Sequence, residues 1–377
     1  MSDPSPPAAP LPRPAPGELA VYLVGPGFGE SSVVLLGDPD DTCIVVDSCM
    51  LNGQHLTLAV LRALGITRVD LLVVTHPDLD HIRGIPALIA ELRPRRLWKY
   101  AGGTLRDLAA GWCREDPADG RLRELHDALA ALDGLEDAGV ACDACLQTRS
   151  VSLAKDCDVT SLAPTQADQA YERRRLRSLV NNAQVNATLD PKLRAYLLGD
   201  RDAIGDHPNT LSLAIRVRFR ERRVLLAGDV ENGRTSEPRS GWKGVVMHLR
   251  EDNRIEEVTS LDVVKVAHHG SIGAFDVATW RLHARGDGTT SALLTPFSSA
   301  GLPHQSMLEG LREHVSRLGI TANTAGAFGR AQAAGWTPHE TSPAVLPGPV
   351  LAVVLGDSAP RFHSGHEASF FERTAPT

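Results

Sequence analysis

The sequence predicts a layered α/β protein, and three observations carry that expectation. Cys43 to Ser48 and Val69 to Val74 are short apolar runs of strand length, each ending in polar residues. Leu56 to Leu64, and then Ile82, Ile85, Leu88, Ile89 and Leu92, repeat apolar residues at helical spacing. Strands that alternate with amphipathic helices bury both apolar faces only by stacking in layers. Later in the chain, Leu211 to Phe219 and Val224 to Ala227 flank the turn Glu221-Arg222-Arg223 and read as a hairpin.

Taken in order, Met1 to Gly17 is rich in proline and alanine and reads as a disordered leader. It lacks a basic stretch followed by an apolar core, so it is not a secretory signal. Leu19 to Leu23 is a strand, Gly25 to Ser32 a glycine-rich turn, and Val33 to Leu36 the next strand. No Lys-Ser/Thr follows these glycines, which argues against a phosphate-cradling loop. Gly65 ends the helix that starts at Leu56. Residues 18–360 are expected to form one domain, with a helical insertion at about 100–200 and a tail at 361–377. Within the insertion, Leu122 to Leu132 and Tyr171 to Val180 read as helices and Val159 to Leu162 as a strand. Its basic run Arg173-Arg174-Arg175-Leu176-Arg177 reads as a solvated helix face, with a substrate-steering patch as the alternative. Arg216, Arg218 and Arg220 share one face of the hairpin by alternation. Met307 to Leu318 reads as a helix and Val350 to Leu355 as the last strand.

Composition narrows the class. The chain has 377 residues, 42% of them hydrophobic, and a net charge of −7. These are values of a soluble globular protein, and the acidic balance weighs against broad nucleic-acid binding. No run of about 18 apolar residues occurs, so no membrane span is expected. A cytoplasmic location is expected, with the six cysteines reduced. Cys142 and Cys145 form a lone CxxC without the second pair that a structural zinc site wants.

The chemistry concentrates after the strand that ends at Val74. His76, Asp78, Asp80 and His81 place four cation-binding side chains within six positions. Burying such groups unpaired at a strand mouth costs free energy, and a bound metal offsets that cost. His81 stands where helical spacing begins.

Thr75-His76-Pro77-Asp78-Leu79-Asp80-His81 resembles the His-x-His-x-Asp-His signature of the metallo-β-lactamase superfamily. Aspartate at the second position resembles the branch of the DNA-uptake competence protein ComEC, here free-standing and soluble. Asn209-Thr210-Leu211-Ser212-Leu213 and Leu225-Leu226-Ala227-Gly228-Asp229 resemble that branch's hairpin, and Lys265-Val266-Ala267-His268-His269-Gly270-Ser271 its His-His-Gly-Ser motif. Gly25 to Ser32 resembles its opening turn, with Glu30 near the family's acidic residue, although Pro26 and the spacing depart from the pattern.

The resemblance implies a four-layer αβ/βα sandwich, two mostly antiparallel sheets face to face with helices outside. It implies one or two ions, Zn²⁺ or Mn²⁺. His76 and Asp78 would hold one; Asp80, His81 and His269 the other; and Asp229 would bridge them. His207 is the nearest candidate for the third histidine of the first site, with Asn209 as rival. Asp47 would support the metal loop by hydrogen bonds, with Ser271 and Lys265 also in support. Adjacent strand residues point to opposite faces, so only one of His268 and His269 binds the metal. His269 is favoured, and the order could be reversed. His304 matches the histidine of the family's Pro-His pair, while Leu302 stands where another histidine is frequent.

Two cations about 3.5–4 Å apart can share a hydroxide and lower its pKa. The implied activity is therefore a metallo-hydrolase, and the competence-type resemblance favours a phosphodiesterase or nuclease. Asp80 would serve the metal-bound hydroxide, with His268 or His304 assisting the leaving group and Lys265 a weaker candidate. Nucleic acid and a protein partner stay open as partners beside a small hydrolysable substrate. Hydrolysis of a lactone, thioester or β-lactam is the alternative within the enzyme class. A non-catalytic component of a multi-protein system is the alternative outside it, since fold does not set function.

Overall fold

A computed structural model describes residues 11–27, 29–100, 119–145, 147–186, 195, 208–297, 300–339, 342–343 and 348–373. The apolar runs become two nine-stranded sheets. From edge to edge the first runs Ser342–Pro343, Arg361–Ser364, Val350–Leu355, Leu19–Gly27, Gly29–Leu36, Cys43–Val46, Leu71–Val74, Arg96–Lys99, Ala141–Ala144. The second runs Trp336–His339, Ser369–Arg373, Arg317–Ile320, Ser291–Leu294, Val263–Lys265, Arg222–Leu226, Ala214–Phe219, Cys157–Ala163, Ser150–Ala154.

Strand alternation decides which side chains face which layer. Ile215, Val217, Val224, Leu226 and Val263 of the second sheet join the strands of the first in one buried core. Their neighbours Ala214, Leu225 and Val264 turn the other way, against Trp242, Val245 and Leu249 of the helix Gly241–Glu251. The result is the expected sandwich of two packed sheets with helices outside.

The sheets are less antiparallel than expected. Cys43–Val46, Leu71–Val74, Arg96–Lys99 and Ala141–Ala144 pair in parallel, as do Arg222–Leu226, Val263–Lys265, Ser291–Leu294 and Arg317–Ile320. Helices Leu56–Ala63, Ile85–Leu92, Val277–His283 and Gln305–Leu311 lie in these connections, and a helical crossover returns the chain in the same direction.

Five further expectations are corrected. Region 100–200 holds the helices Gly120–Asp137 and Gln166–Asn186, but it also supplies edge strands to both sheets. Ala141–Ala144 and Ser150–Ala154 are short, polar and partly exposed, so they carry little apolar signal. The helix expected from Met307 to Leu318 stops at Leu311, and Leu318 is a buried strand residue opposite Ala292. Apolar residues seven apart suit a helix, and parallel pairing overrides that here. Residues 11–17 are not loose: Leu11 is buried, and Gly17 N–H donates to Gly37 O at 2.7 Å. The hairpin arginines diverge, with Arg216 buried against Glu257 and Arg218 exposed beside Asp158. Among the described residues no helix is long and apolar enough to cross a membrane.

The fifth correction concerns residues 361–373, part of the expected tail. Arg361–Ser364 pairs with Val350–Leu355 in the first sheet, and Ser369–Arg373 pairs with Arg317–Ile320 in the second. Phe370 is fully buried and meets Phe362 edge-on at 5.1 Å. Phe370→Ala should therefore cost about 3–5 kcal/mol in urea unfolding, as for a large core aromatic. A change below about 0.5 kcal/mol, as at an ordinary surface position, would refute this placement.

Candidate metal centre

Asp47, at the end of the strand Cys43–Val46, organises the metal loop. Its backbone N–H donates to Val73 O at 2.9 Å, which sets it beside the end of Leu71–Val74. One carboxylate oxygen accepts the Thr75 N–H at 2.8 Å; the other accepts the Thr75 hydroxyl at 2.7 Å and lies 2.8 Å from His81 Nδ1. An ionised carboxylate only accepts, so Nδ1 carries the proton and Nε2 is left as the free lone pair. Ser48 N–H donates to His81 O at 3.0 Å and closes the loop against the strand. Gly29 allows the opening hairpin to pack here, because a Cβ at that position would collide with Asp80 O.

The loop and the second sheet meet at Asp229 and His269. His81 Nε2 is 3.6 Å from Asp229 Oδ2 and 3.8 Å from Asp80 Oδ2. His269 Nε2 is 3.6 Å from Asp80 Oδ2 and 3.9 Å from Asp229 Oδ2. His269 Nδ1 lies 3.1 Å from Thr295 O and donates to it, which again turns Nε2 into the cluster. Donor atoms around a tetrahedral zinc lie roughly 3.3 Å apart, given bonds of about 2.0–2.1 Å. The observed separations are a few tenths longer. His81 Nε2, His269 Nε2, His76 Nε2 and both Asp229 carboxylate oxygens are buried without a hydrogen-bond partner. The inward atoms of His81, His269 and Asp229 lie close together and bond nothing, an arrangement that fits a cation, and His76 Nε2 lies outside that group.

His76 and Asp78 form the other flank. His76 Nε2 is 3.6 Å from Asp78 Oδ2, and its ring lies 4.1 Å from that of His81. His76 Nδ1 is held by Thr75 Oγ1 at 3.0 Å, with Ser212 Oγ at 3.4 Å. Ser212 Oγ also accepts the Asp229 N–H at 2.8 Å, which links this flank to Asp229. The close turn needs Gly228, since a Cβ there would strike Leu213 O.

Glu30 and Thr295 were not among the expected site residues. Glu30, His81, Asp229 and His269 each bring a ligand atom within 4.8 Å of the others, the only such group of three or more potential metal ligands among the described residues. Glu30 contacts the Lys265 ammonium and the Thr295 hydroxyl, and lies 3.5 Å from His269 Nδ1. Both its oxygens are thus engaged, and we assign it to holding His269 and Lys265 in place while Asp80 faces Nε2. Its sequence signal was its position near the acidic residue of the opening turn that Gly25 to Ser32 resembles. Lys265, offered as a weak proton donor, is buried beneath the cluster, where it donates to Gly228 O at 2.8 Å and lies 3.7 Å from Asp229 Oδ1.

The paired histidines differ from expectation in backbone. The strand ends at Lys265, and His268 and His269 occupy a turn with φ of 48° and 51°. Their divergence therefore comes from two left-handed residues, not from strand alternation. His268 Nδ1 sits 3.0 Å from Glu231 Oε1. Ser271 Oγ accepts the Gly273 N–H at 3.3 Å and caps the next turn. His304 is exposed at the rim; its N–H donates to Gly270 O at 3.0 Å and its Nδ1 lies 2.8 Å from Ser306 Oγ. Asn209 is buried in the turn Pro208–Leu211. His207 lies outside the described residues. The CxxC thiols Cys142 and Cys145 are free, and burial raises the pKa of both. Arg174 and Arg175 of the basic run pair with Glu237 and Glu172.

The charges stabilise one another. Burial alone would lower the pKa of His81, yet Asp229, Asp80 and Asp47 hold it well above its usual value. Burial would raise Asp229, yet His81 and His269 hold it well below the carboxylate range. His269 is raised as well, against its burial, chiefly by Glu30 and Asp229.

A family model described as the metallo-β-lactamase superfamily matches residues 26–274. No curated protein matches the chain. Among solved structures, zinc-bound PqqB from Methylobacterium extorquens is 9% identical, with a TM-score of 0.31 over 62% of this chain and 58% of that one. CmlA β-hydroxylase is 17% identical, with a TM-score of 0.34 over 72% of this chain and 38% of its own. Rm3 metallo-β-lactamase is 14% identical, with a TM-score of 0.33 over 68% of this chain and 77% of its own. The chain thus spans less than two thirds of the length of the first two.

Two predictions arise from the geometry. Asp47→Asn should weaken zinc binding about 10–100-fold, as loss of a ligand-orienting partner does, with unchanged circular dichroism. Wild-type affinity in competition with a chelator would show that Asp47 does not orient His81. Zinc must also displace the proton held on His81, so affinity should rise with pH until His81 loses that proton unaided. Calorimetry in two buffers of different ionisation enthalpy should show proton release, and equal heats in both would contradict it.

Proposed function

This chain belongs to the metallo-β-lactamase superfamily, in general metal-dependent hydrolases, and from that membership we propose that it is a phosphodiesterase of the competence-type branch. The observation that supports the reading is His268. It adjoins the ligand His269 yet pairs with Glu231 at 3.0 Å, so an imidazole is kept beside the ligands without being consumed as one. Phosphodiester hydrolysis needs such a group: water oxygen bonds to phosphorus, the bond to the leaving oxygen breaks, and that oxygen takes up a proton.

His76, Asp78, Asp80, His81, Asp229 and His269 would hold one or two ions, zinc or manganese. When bound, the ions acidify water and offset the charge that develops on the phosphoryl oxygens. The chain's own residues do the rest. Asp47 and Thr295 keep His81 and His269 oriented, Asp80 lies between the two imidazoles at the open side of the cluster, and Lys265 with Glu30 holds the floor. His268 carries the proton to the leaving group. His304, bonded to Ser306 at the rim, is a contact for the substrate beyond the scissile bond. Small diesters and nucleic-acid ends are the substrate classes to try.

Asp80→Ala and His81→Ala should lose metal by elemental analysis while remaining folded; unchanged metal in both would remove the site assignment. His268→Ala should keep its metal and lose turnover by roughly 10²–10⁴-fold on a diester with a poor leaving group. On an activated nitrophenyl diester the loss should be much smaller, because that oxygen departs without a proton. Equal losses on both would assign His268 to binding. No diester cleavage by the metal-loaded wild type, with turnover of a lactone, thioester or β-lactam, would replace the phosphodiesterase reading. No turnover of any of these would favour a non-catalytic component of a protein assembly.

A further inference from the structure

The arginines of the hairpin mark a second polar site. On the outer face of the second sheet, Ala214 and Leu225 pack under the helix Gly241–Glu251. Farther along the same face the side chains turn polar. Alternation brings up Arg216 and Arg218, which stand opposite Thr160 and Asp158 on one neighbouring strand, while Arg223 on the other stands opposite Arg218. Arg216, Arg218, Arg223, Asp158, Thr160 and Glu257 line a cavity of about 280 Å³ there. That volume is near the low end for small-molecule sites, roughly 300–1,000 Å³.

An arginine on an uncovered sheet face is ordinarily solvated. Arg216 is only 6% exposed, and Nη2 alone is engaged, with the Thr160 hydroxyl at 3.0 Å and with Glu257. Its Nε and Nη1 have no hydrogen-bond partner among the described residues. A buried guanidinium with unused donors is costly and marks a place for an acceptor. Two of the lining carboxylates are already committed. Glu257 accepts from Arg216 through one oxygen and from Arg254 through the other, at 3.1 Å, and Asp158 accepts from Arg218. Arg223 uses Nη1 on the Glu256 and Thr259 carbonyls, at 3.4 and 3.3 Å. The Arg218–Asp158 pair is partly exposed and so worth little, which lets an incoming anion take Arg218 over at small cost. Forked guanidinium groups match the oxygens of a phosphate. We propose that this cavity binds a phosphate group, free or carried as a small monoester, through Arg216, Arg218 and Arg223. Ser150 Oγ, 3.0 Å from Thr160 Oγ1, is a further polar contact on the cavity wall. The inference is independent of what the metal centre hydrolyses.

The test is calorimetric titration of the full-length protein with inorganic phosphate and with glycerol phosphate. A bound metal attracts phosphate itself, so each titration is run on zinc-loaded protein and again after chelation. One saturable binding event should persist after chelation. Arg218→Ala and Arg223→Ala should each weaken it about 10–100-fold, the range for a lost hydrogen bond to a charged group, with unchanged circular dichroism. Arg218→Lys, which keeps the charge but not the fork, should weaken it less. Glu256 is exposed at the same cavity, so Glu256→Gln should tighten binding by removing a like charge, a gain that damage to the fold would not produce. Tighter binding of glycerol phosphate assigns the site to a monoester, and equal binding assigns it to free phosphate. No phosphate binding after chelation, or wild-type affinity in both Arg218→Ala and Arg223→Ala, would overturn the inference.

Discussion

The carboxylate of Asp47 is the constraint on which the rest of the site depends. It stands at the end of one strand and takes three contacts from the next segment: the Thr75 N–H, the Thr75 hydroxyl and His81 Nδ1. Because it can only accept, it sets the tautomer of His81 and directs Nε2 inward. Through Thr75 it also reaches the second sheet, since Leu213 N–H donates to Thr75 O at 3.1 Å. That contact brings Ser212 to His76 and Asp229, so one buried anion fixes how the ends of the two sheets meet.

The cluster is expensive to assemble without a cation. Asp229 and His269 are buried charged or polar groups whose inward atoms bond nothing. Asp47, His268 and His269 hold φ of 58°, 48° and 51°, a region that side-chain-bearing residues avoid at about 1–3 kcal/mol each. Such strain persists only where the surroundings dictate it. Here Asp47 is held by Val73 O, His268 by Gly228 O through its N–H, and His269 by Thr295 O through its ring. These contacts keep the donor atoms close together against the cost of their desolvation. The Lys265–Glu30 pair adds a buried internal counter-charge beneath Asp229.

How far the site was legible depended on sequence distance. His76, Asp78, Asp80 and His81 are close together in the chain, and their pattern after an apolar run was readable. Asp229 and His269 sit in short motifs at strand ends and were readable by resemblance. Glu30 was noted only as lying near the family's acidic residue in the opening turn, because its contact with Thr295 spans 265 positions. Glu231 gave no signal, since its role depends on the direction of His268. The tail and the edge strands were missed for another reason. A pair of phenylalanines among polar residues, or a four-residue run such as Ala141–Ala144, has no periodicity to detect until neighbouring strands cover it.

The sequence by itself determined the layered α/β class, the strands that carry the loops, and the kinds of donor atoms that a cation would meet. Those follow from local hydrophobic period and side-chain chemistry, which need no partner. Only the tertiary structure decided which imidazole nitrogen faces inward, that His268 and His269 diverge by left-handed turns, that Lys265 lies under the site, and that Asn209 is buried with its amide unpaired. Each of these depends on hydrogen bonds and exclusions between segments far apart in the chain. The sequence lists such groups, but only folding sets the distances between them.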